Sequence, residues 1–124
     1  MQYHDFFIKN NPECKNTEWL IEYFNEMVSK HLCCGIFVDG ILVSCSDAPS
    51  IPYMQNDVEE IGINTLNEYK GKGYATDVCI TCANEIVKNG KCPLWSTTIN
   101  NIASQKLAEK VGFRKLADVI SISL

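Results

Sequence analysis

A mixed α/β fold is predicted by three features of the sequence. Apolar residues switch between helical and alternating spacing along the chain, Asp39-Gly40 separates two strand-like runs, and a glycine-rich basic turn joins a strand-like run to a helix-like one. With 124 residues and 46% hydrophobic side chains, the chain is expected to fold as one domain, large enough for a core and too short for two.

The elements follow in order. Residues 1–15 read as a polar lead. Asn16 or Thr17 then caps a helix in which Trp19, Leu20, Tyr23, Phe24, Met27 and Val28 recur at helical spacing, running to about Lys30. Residues 33–38 read as a strand, Asp39-Gly40 as a two-residue hairpin turn, and residues 41–45 as its partner strand. Residues 47–57 contain Pro49 and Pro52 and are expected to be loop, followed by a buried strand over 58–65. After the glycine turn, residues 74–88 place Ala75, Val78, Cys79, Cys82 and Ile86 on one helix face, and Asn89-Gly90 stops that helix. A short strand over 94–98, a helix over 101–110 closed by Gly112, and a last strand-like stretch over 119–123 complete the order.

Composition excludes several roles. A formal charge of −4 leaves no dense positive surface for a nucleic acid backbone, and no apolar run reaches the length of a membrane span. The seven cysteines are odd in number and scattered. Most lie in apolar segments, where a free thiol packs as a small hydrophobe, so a reducing cytoplasm is expected. Cys79-x-x-Cys82 falls inside a helical pattern with no second pair to complete a zinc site, so no metal is assigned. His31 and Trp95 read as a helix-end residue and a core residue.

The segment Glu68-Tyr69-Lys70-Gly71-Lys72-Gly73-Tyr74-Ala75-Thr76 is the candidate binding element. Gly71 and Gly73 lack a Cβ, so the backbone there can approach an anion closely. The start of the following helix supplies unpaired N–H groups and a positive dipole end, and Lys70 and Lys72 add charge. A solvated loop is the alternative. The spacing fits neither the Gly-x-x-x-x-Gly-Lys-Ser/Thr phosphate loop nor the dinucleotide fingerprint.

Lys70-x-x-Gly73-x-Ala75 resembles instead the Gln/Arg-x-x-Gly-x-Gly/Ala signature of the GNAT superfamily of acyl-CoA-dependent N-acyltransferases. A second segment, Asn101-Ile102-Ala103-Ser104-Gln105-Lys106-Leu107-Ala108-Glu109-Lys110-Val111-Gly112-Phe113, is similar to that superfamily's Asn-x-x-Ala-x-x-Leu-Tyr-Glu-Lys-x-Gly-Phe. The resemblance extends from about residue 35 to 124. It implies one GNAT-like domain over 1–124, with the acyl-CoA-binding core at 33–124 and without the family's first strand and first helix.

The same resemblance implies acetyl-CoA as cosubstrate. The fourth and fifth strands of that fold splay apart to admit the pantetheine arm, and here they correspond to 58–65 and 94–98. Asn64, Thr65 and Leu66 are then expected to offer backbone groups to the arm, Lys70, Gly71, Lys72, Gly73, Tyr74 and Ala75 to hold the diphosphate, and Asn101 and Ser104 to reach the arm from the second helix. Asn101 and Ser104 equally suit a helix start.

The implied reaction is direct attack of an amine, on a small molecule or peptide, at the thioester. Glu59 and Glu60 are the candidate bases, since neighbours on a strand face opposite sides and one should face the cleft. Ala108 stands where the family often has a tyrosine that protonates the departing thiolate; Tyr69, Tyr74 or solvent would take that part. This substitution and the missing first elements leave two alternatives to an active acetyltransferase: a catalytically degenerate CoA-binding or regulatory domain, or the C-terminal part of a larger enzyme. Ile120 and Ile122 alternate with Ser121 and Ser123, which predicts an edge able to join a second copy as a homodimer.

Overall fold

The computed structural model describes residues 2–48 and 56–119. Helices α1 (Gln2–Asn10) and α2 (Leu20–Ser29) precede strands β1 (Cys33–Val38) and β2 (Ile41–Asp47). Strands β3 (Val58–Glu60) and β4 (Gly62–Thr65), a 3-10 turn at Asn67–Tyr69, helix α3 (Tyr74–Lys88), strand β5 (Cys92–Leu94) and helix α4 (Ile102–Val111) follow. The mixed α/β class is the one the sequence predicts. Among the described residues no helix is long and apolar enough to cross a membrane.

The first difference lies at the N-terminal end. Within the expected polar lead, residues 2–10 form α1, which buries Tyr3 and Phe6. A helix therefore precedes α2 where the sequence reading had none. Tyr3 stacks on Phe24 with ring centroids 4.7 Å apart. Both helices pack on one core with Leu42, Val43, Cys45 and Leu66. Gln2 fastens α1 to the hairpin: its Nε2 donates to the Gly40 carbonyl at 2.6 Å, and its Oε1 accepts from the Leu42 N–H at 3.0 Å.

The hairpin turn itself is as expected. Asp39 (φ 50°) and Gly40 (φ 78°) both adopt positive φ, the pair of dihedrals whose twist suits a two-residue connection between antiparallel strands. On the opposite side, α3 buries Cys79, Cys82 and Ile86 against Met27, Leu32, Ala48 and Ile61. Leu20 is fully buried in the first core. Leu20→Ala is expected to cost about 2–5 kcal/mol, because the lost methyl groups leave a cavity that the neighbours fill only in part. A lower midpoint of denaturant unfolding with an unchanged slope would show it.

The second difference shapes the site. The strand expected over 58–65 breaks at Ile61 into β3 and β4, and the two halves have different partners. β4 extends an antiparallel sheet of order β1-β2-β4, whereas β3 pairs in parallel with β5. β5, at Cys92–Leu94, lies ahead of the strand expected over 94–98 and overlaps it only at Leu94. The predicted terminal strand, apart from Val119, falls outside the described residues, and so do the isoleucines assigned to a dimer edge.

Candidate functional site

The break at Ile61 opens a gap in the sheet. Pairing between β3 and β5 runs from Val58↔Cys92 to Glu60↔Leu94, and its last link is the Ile61 N–H donating to the Leu94 carbonyl at 2.9 Å. Beyond it, β4 has β2 on one edge and no strand on the other among the described residues. The Leu66 N–H donates to the Val43 carbonyl at 2.9 Å. Since alternate residues of an antiparallel strand turn their backbone groups to opposite edges, Asn64 and Leu66 face β2, while Ile63 and Thr65 face the gap. Of the expected trio only Thr65 turns its backbone into the opening. Asn64 and Leu66 spend theirs on the sheet, and Ile63, which the sequence reading omitted, takes their place.

Thr65 is held by its cross-strand neighbour on β2, with its Oγ1 2.8 Å from the Ser44 Oγ. Near the same strand, Asp47 pairs with Gly62 in the β2–β4 ladder. Burial raises the Asp47 carboxyl above its ordinary pKa, and the Tyr23 hydroxyl, donating to Oδ2 at 2.5 Å, acts in the opposite direction.

From Leu66 the chain makes its 3-10 turn and enters the glycine segment. Lys70 spends its N–H on the Asn67 carbonyl at 3.3 Å. Gly71 (φ 78°) and Gly73 (φ 85°) then adopt left-handed dihedrals, and Gly73 forms the N-cap of α3. The next closed bond is from the Asp77 N–H to the Gly73 carbonyl at 3.2 Å. Between these two bonds, the N–H groups of residues 71–76 meet no acceptor among the described residues. They lie at the positive end of α3.

A cleft of about 400 Å³ joins these amides to the gap. Thr65, Tyr69, Lys70, Gly71, Gly73, Tyr74, Ala75 and Thr76 form one wall, and Ala103, Lys106, Leu107 and Lys110 of α4 form the other. The α4 residues escaped the sequence reading. Their signal was present, since positions 103, 106, 107 and 110 share one helix face.

Three expected residues stand elsewhere. Lys72 does not line the cleft, and its Nζ lies 5.3 Å from the centre of the Tyr69 ring. Asn101 caps α4, its Oδ1 accepting the Ser104 N–H at 3.1 Å. Ser104 in turn accepts from the Trp95 Nε1–H at 3.1 Å. Both residues build the start of α4, the alternative their position had left open, and neither lines the cleft.

The two glutamates separate as strand geometry requires. Glu59 is fully buried, with Oε1 2.7 Å from the Lys91 Nζ and Oε2 without a hydrogen-bond partner among the described residues. Enclosed in this way, it cannot reach an incoming amine. Glu60 emerges on the other face, where its Oε1 accepts the Ser96 hydroxyl at 2.6 Å. Ala108 does not line the cleft, whereas Tyr69 and Tyr74 do. The thiols of the Cys79-x-x-Cys82 pair sit in the core: burial pushes Cys79 up to about 11, and a hydrogen bond with Cys34 raises Cys82.

The split sheet and the open amides meet at one cleft of a mixed α/β protein. The family follows from the sequence profile of the GNAT acetyltransferases, which matches residues 7–118. The chain belongs to that family. No curated protein sequence matches it.

Solved structures share the fold at low sequence identity. The aminoglycoside N-acetyltransferase AAC(6')-Iy, in complex with a CoA-S-monomethyl-acetylneamine bisubstrate analogue, is 18% identical with a TM-score of 0.79, covering 99% of this chain and 89% of that one. A GNAT-family acetyltransferase from Colwellia psychrerythraea is 20% identical with a TM-score of 0.74 over 90% of this chain; the match spans 41% of the Colwellia chain. YncA from Salmonella typhimurium, solved with its cofactor acetyl-CoA, is 16% identical with a TM-score of 0.72 over 83% of this chain and 62% of that one.

Proposed function

We propose that this chain transfers the acetyl group of acetyl-CoA to an amine of a small molecule or peptide by direct attack on the thioester. One observation carries the reading: the unbonded amides of residues 71–76 and the free edge of β4 open into a single cleft. The diphosphate of CoA fits the amides and Lys70, which supply donors and positive charge without a metal. The amide groups of pantetheine fit Ile63 and Thr65 as an added strand, satisfying backbone groups that the sheet leaves unpaired.

This placement carries the thioester along β4 toward Glu60. The Ile61 N–H is already given to Leu94, so the Ile63 N–H is the candidate donor to the thioester oxygen as negative charge develops there. Glu60 takes a proton from the attacking amine, and Ser96 holds its carboxylate in place. Tyr69, Tyr74 or water returns a proton to the departing thiolate. All seven cysteines are free thiols, which supports a reducing cytoplasm as the setting. Pairing of two copies through residues 119–123 belongs to the same reading, and a monomeric mass at high concentration would dismiss it.

Thiol release from acetyl-CoA across a panel of amines tests the proposal. Release that depends on one class of amine is the expected result. Tight CoA binding without release for any amine would favour a CoA-binding or regulatory domain, the reading supported by Ala108 at the usual tyrosine position, or a chain that works only as the C-terminal part of a larger acyltransferase. Once an acceptor is found, Glu60→Gln is expected to lower kcat at least about a hundredfold with little change in KM for acetyl-CoA. An unchanged kcat would assign the proton to another group.

A further inference from the structure

The gap between β4 and β5 closes where the Ile61 N–H meets the Leu94 carbonyl, and the next residue on the β5 side is Trp95. Its indole is fixed at two points. The Nε1–H donates to the Ser104 hydroxyl at 3.1 Å, and the ring lies against Phe113 with centroids 5.4 Å apart. Ser104 is itself tied to Asn101, whose Oδ1 accepts the Ser104 N–H, so the start of α4 serves to hold the ring. Trp95 packs, as Ile63 does, on the buried cluster that contains Ile61, Cys79, Cys82 and Ile86. Glu60 and Ser96, the chain neighbours of Ile61 and Trp95, meet each other on the opposite face of the sheet. Trp95 therefore stands at the closed end of the gap, on the side away from Glu60, and is half-buried there.

Resting on the acetyl-CoA reading above, we infer that Trp95 limits the length of the acyl group this chain accepts, admitting acetyl and rejecting butyryl and longer chains. A thioester is planar. With its oxygen on the Ile63 N–H, its sulfur lies toward the glycine turn and its acyl carbons toward the closed end of the gap. An amine attacks perpendicular to that plane, from the face that carries Glu60. A methyl group fits in front of the Ile61–Leu94 bond. The further carbons of a longer chain cannot continue along the gap, because that bond closes it, and cannot turn toward Glu60 without displacing the amine. They run into the indole, which is held at its N–H and at its ring and yields only at the cost of disturbing the cluster behind it.

Calorimetric titration of the full chain with CoA, acetyl-CoA and butyryl-CoA provides the test and needs no acceptor. The native protein is expected to bind acetyl-CoA at least about tenfold more tightly than butyryl-CoA, the discrimination an apolar wall exerts against added methylenes. Trp95→Ala should bind the two thioesters alike, and Trp95→Phe, which keeps a ring on the cluster, should narrow the difference. The affinity for CoA shows whether a variant has kept its fold and its gap; if Trp95→Ala loses it, Trp95→Phe decides alone. Equal native affinities for acetyl-CoA and butyryl-CoA would overturn the inference and leave the CoA reading standing. The native preference retained in full by either variant that still binds CoA would overturn it as well. Loss of CoA binding in Trp95→Phe would assign the ring to the fold and overturn it too. No binding of any of the three ligands to the native protein would remove both readings together.

Discussion

Gly73→Glu is expected to weaken CoA binding at least about a hundredfold while the protein stays folded, because it places a carboxylate and added bulk against the diphosphate at the amides proposed to hold it. A Cβ at Gly73 meets no atom within 4 Å, so added bulk does not disturb the fold. Its φ of 85° strains any residue with a side chain by about 1–2 kcal/mol, a cost that Gly73→Ala shares. Calorimetry on both variants separates the two effects. Gly73→Ala should lose little affinity and Gly73→Glu nearly all of it. Native affinity in Gly73→Glu would show that the diphosphate lies elsewhere.

Lys91→Ala is expected to destabilise the fold by about 3–5 kcal/mol, the cost of stranding a buried charge. Glu59 has no exposure, Lys91 is its ion-pair partner, and its second oxygen has no hydrogen bond among the described residues. The paired change Glu59→Gln/Lys91→Met should be much milder, since it removes both charges together. Denaturant unfolding of the two variants measures the difference. Equal losses would mean that packing, rather than charge, holds Glu59 in place. The pair also ties β3 to the chain entering β5, so it braces the closed end of the sheet from which the gap opens.

Much of the scaffold was legible because its signals are local. Asp39-Gly40 fixes the hairpin by dihedral preference alone, and α3 begins at Tyr74 and ends at Lys88, the bounds set by the glycine turn and by Asn89-Gly90. Helix α1 was missed because it is short and its apolar residues, Tyr3 and the consecutive Phe6-Phe7-Ile8, make no sustained stripe at helical spacing. The break at Ile61 was hidden for a different reason: an apolar run reports burial, not which strand lies beside it.

The site divides along the same line. Position along the chain marked the amides of the glycine turn. The parity of β4 depends on one long-range bond, from Leu66 to Val43, which decides that Ile63 and Thr65 rather than Asn64 and Leu66 face the gap. Alternation showed that Glu59 and Glu60 point to opposite faces, but only the location of Lys91 shows which of them is enclosed. Lys106 and Lys110 share a face with Ala103 and Leu107, a regularity whose meaning emerges once α3 stands opposite.

The change of neighbour at Ile61 has a mechanical consequence. One continuous run of chain clasps β5 with its first half and β2 with its second, so zipping the slot shut would mean tearing Gly62–Thr65 away from the hairpin. The slot is therefore a permanent part of the architecture, and a guest enters a berth that folding has already shaped, losing little of its binding energy to rearrangement.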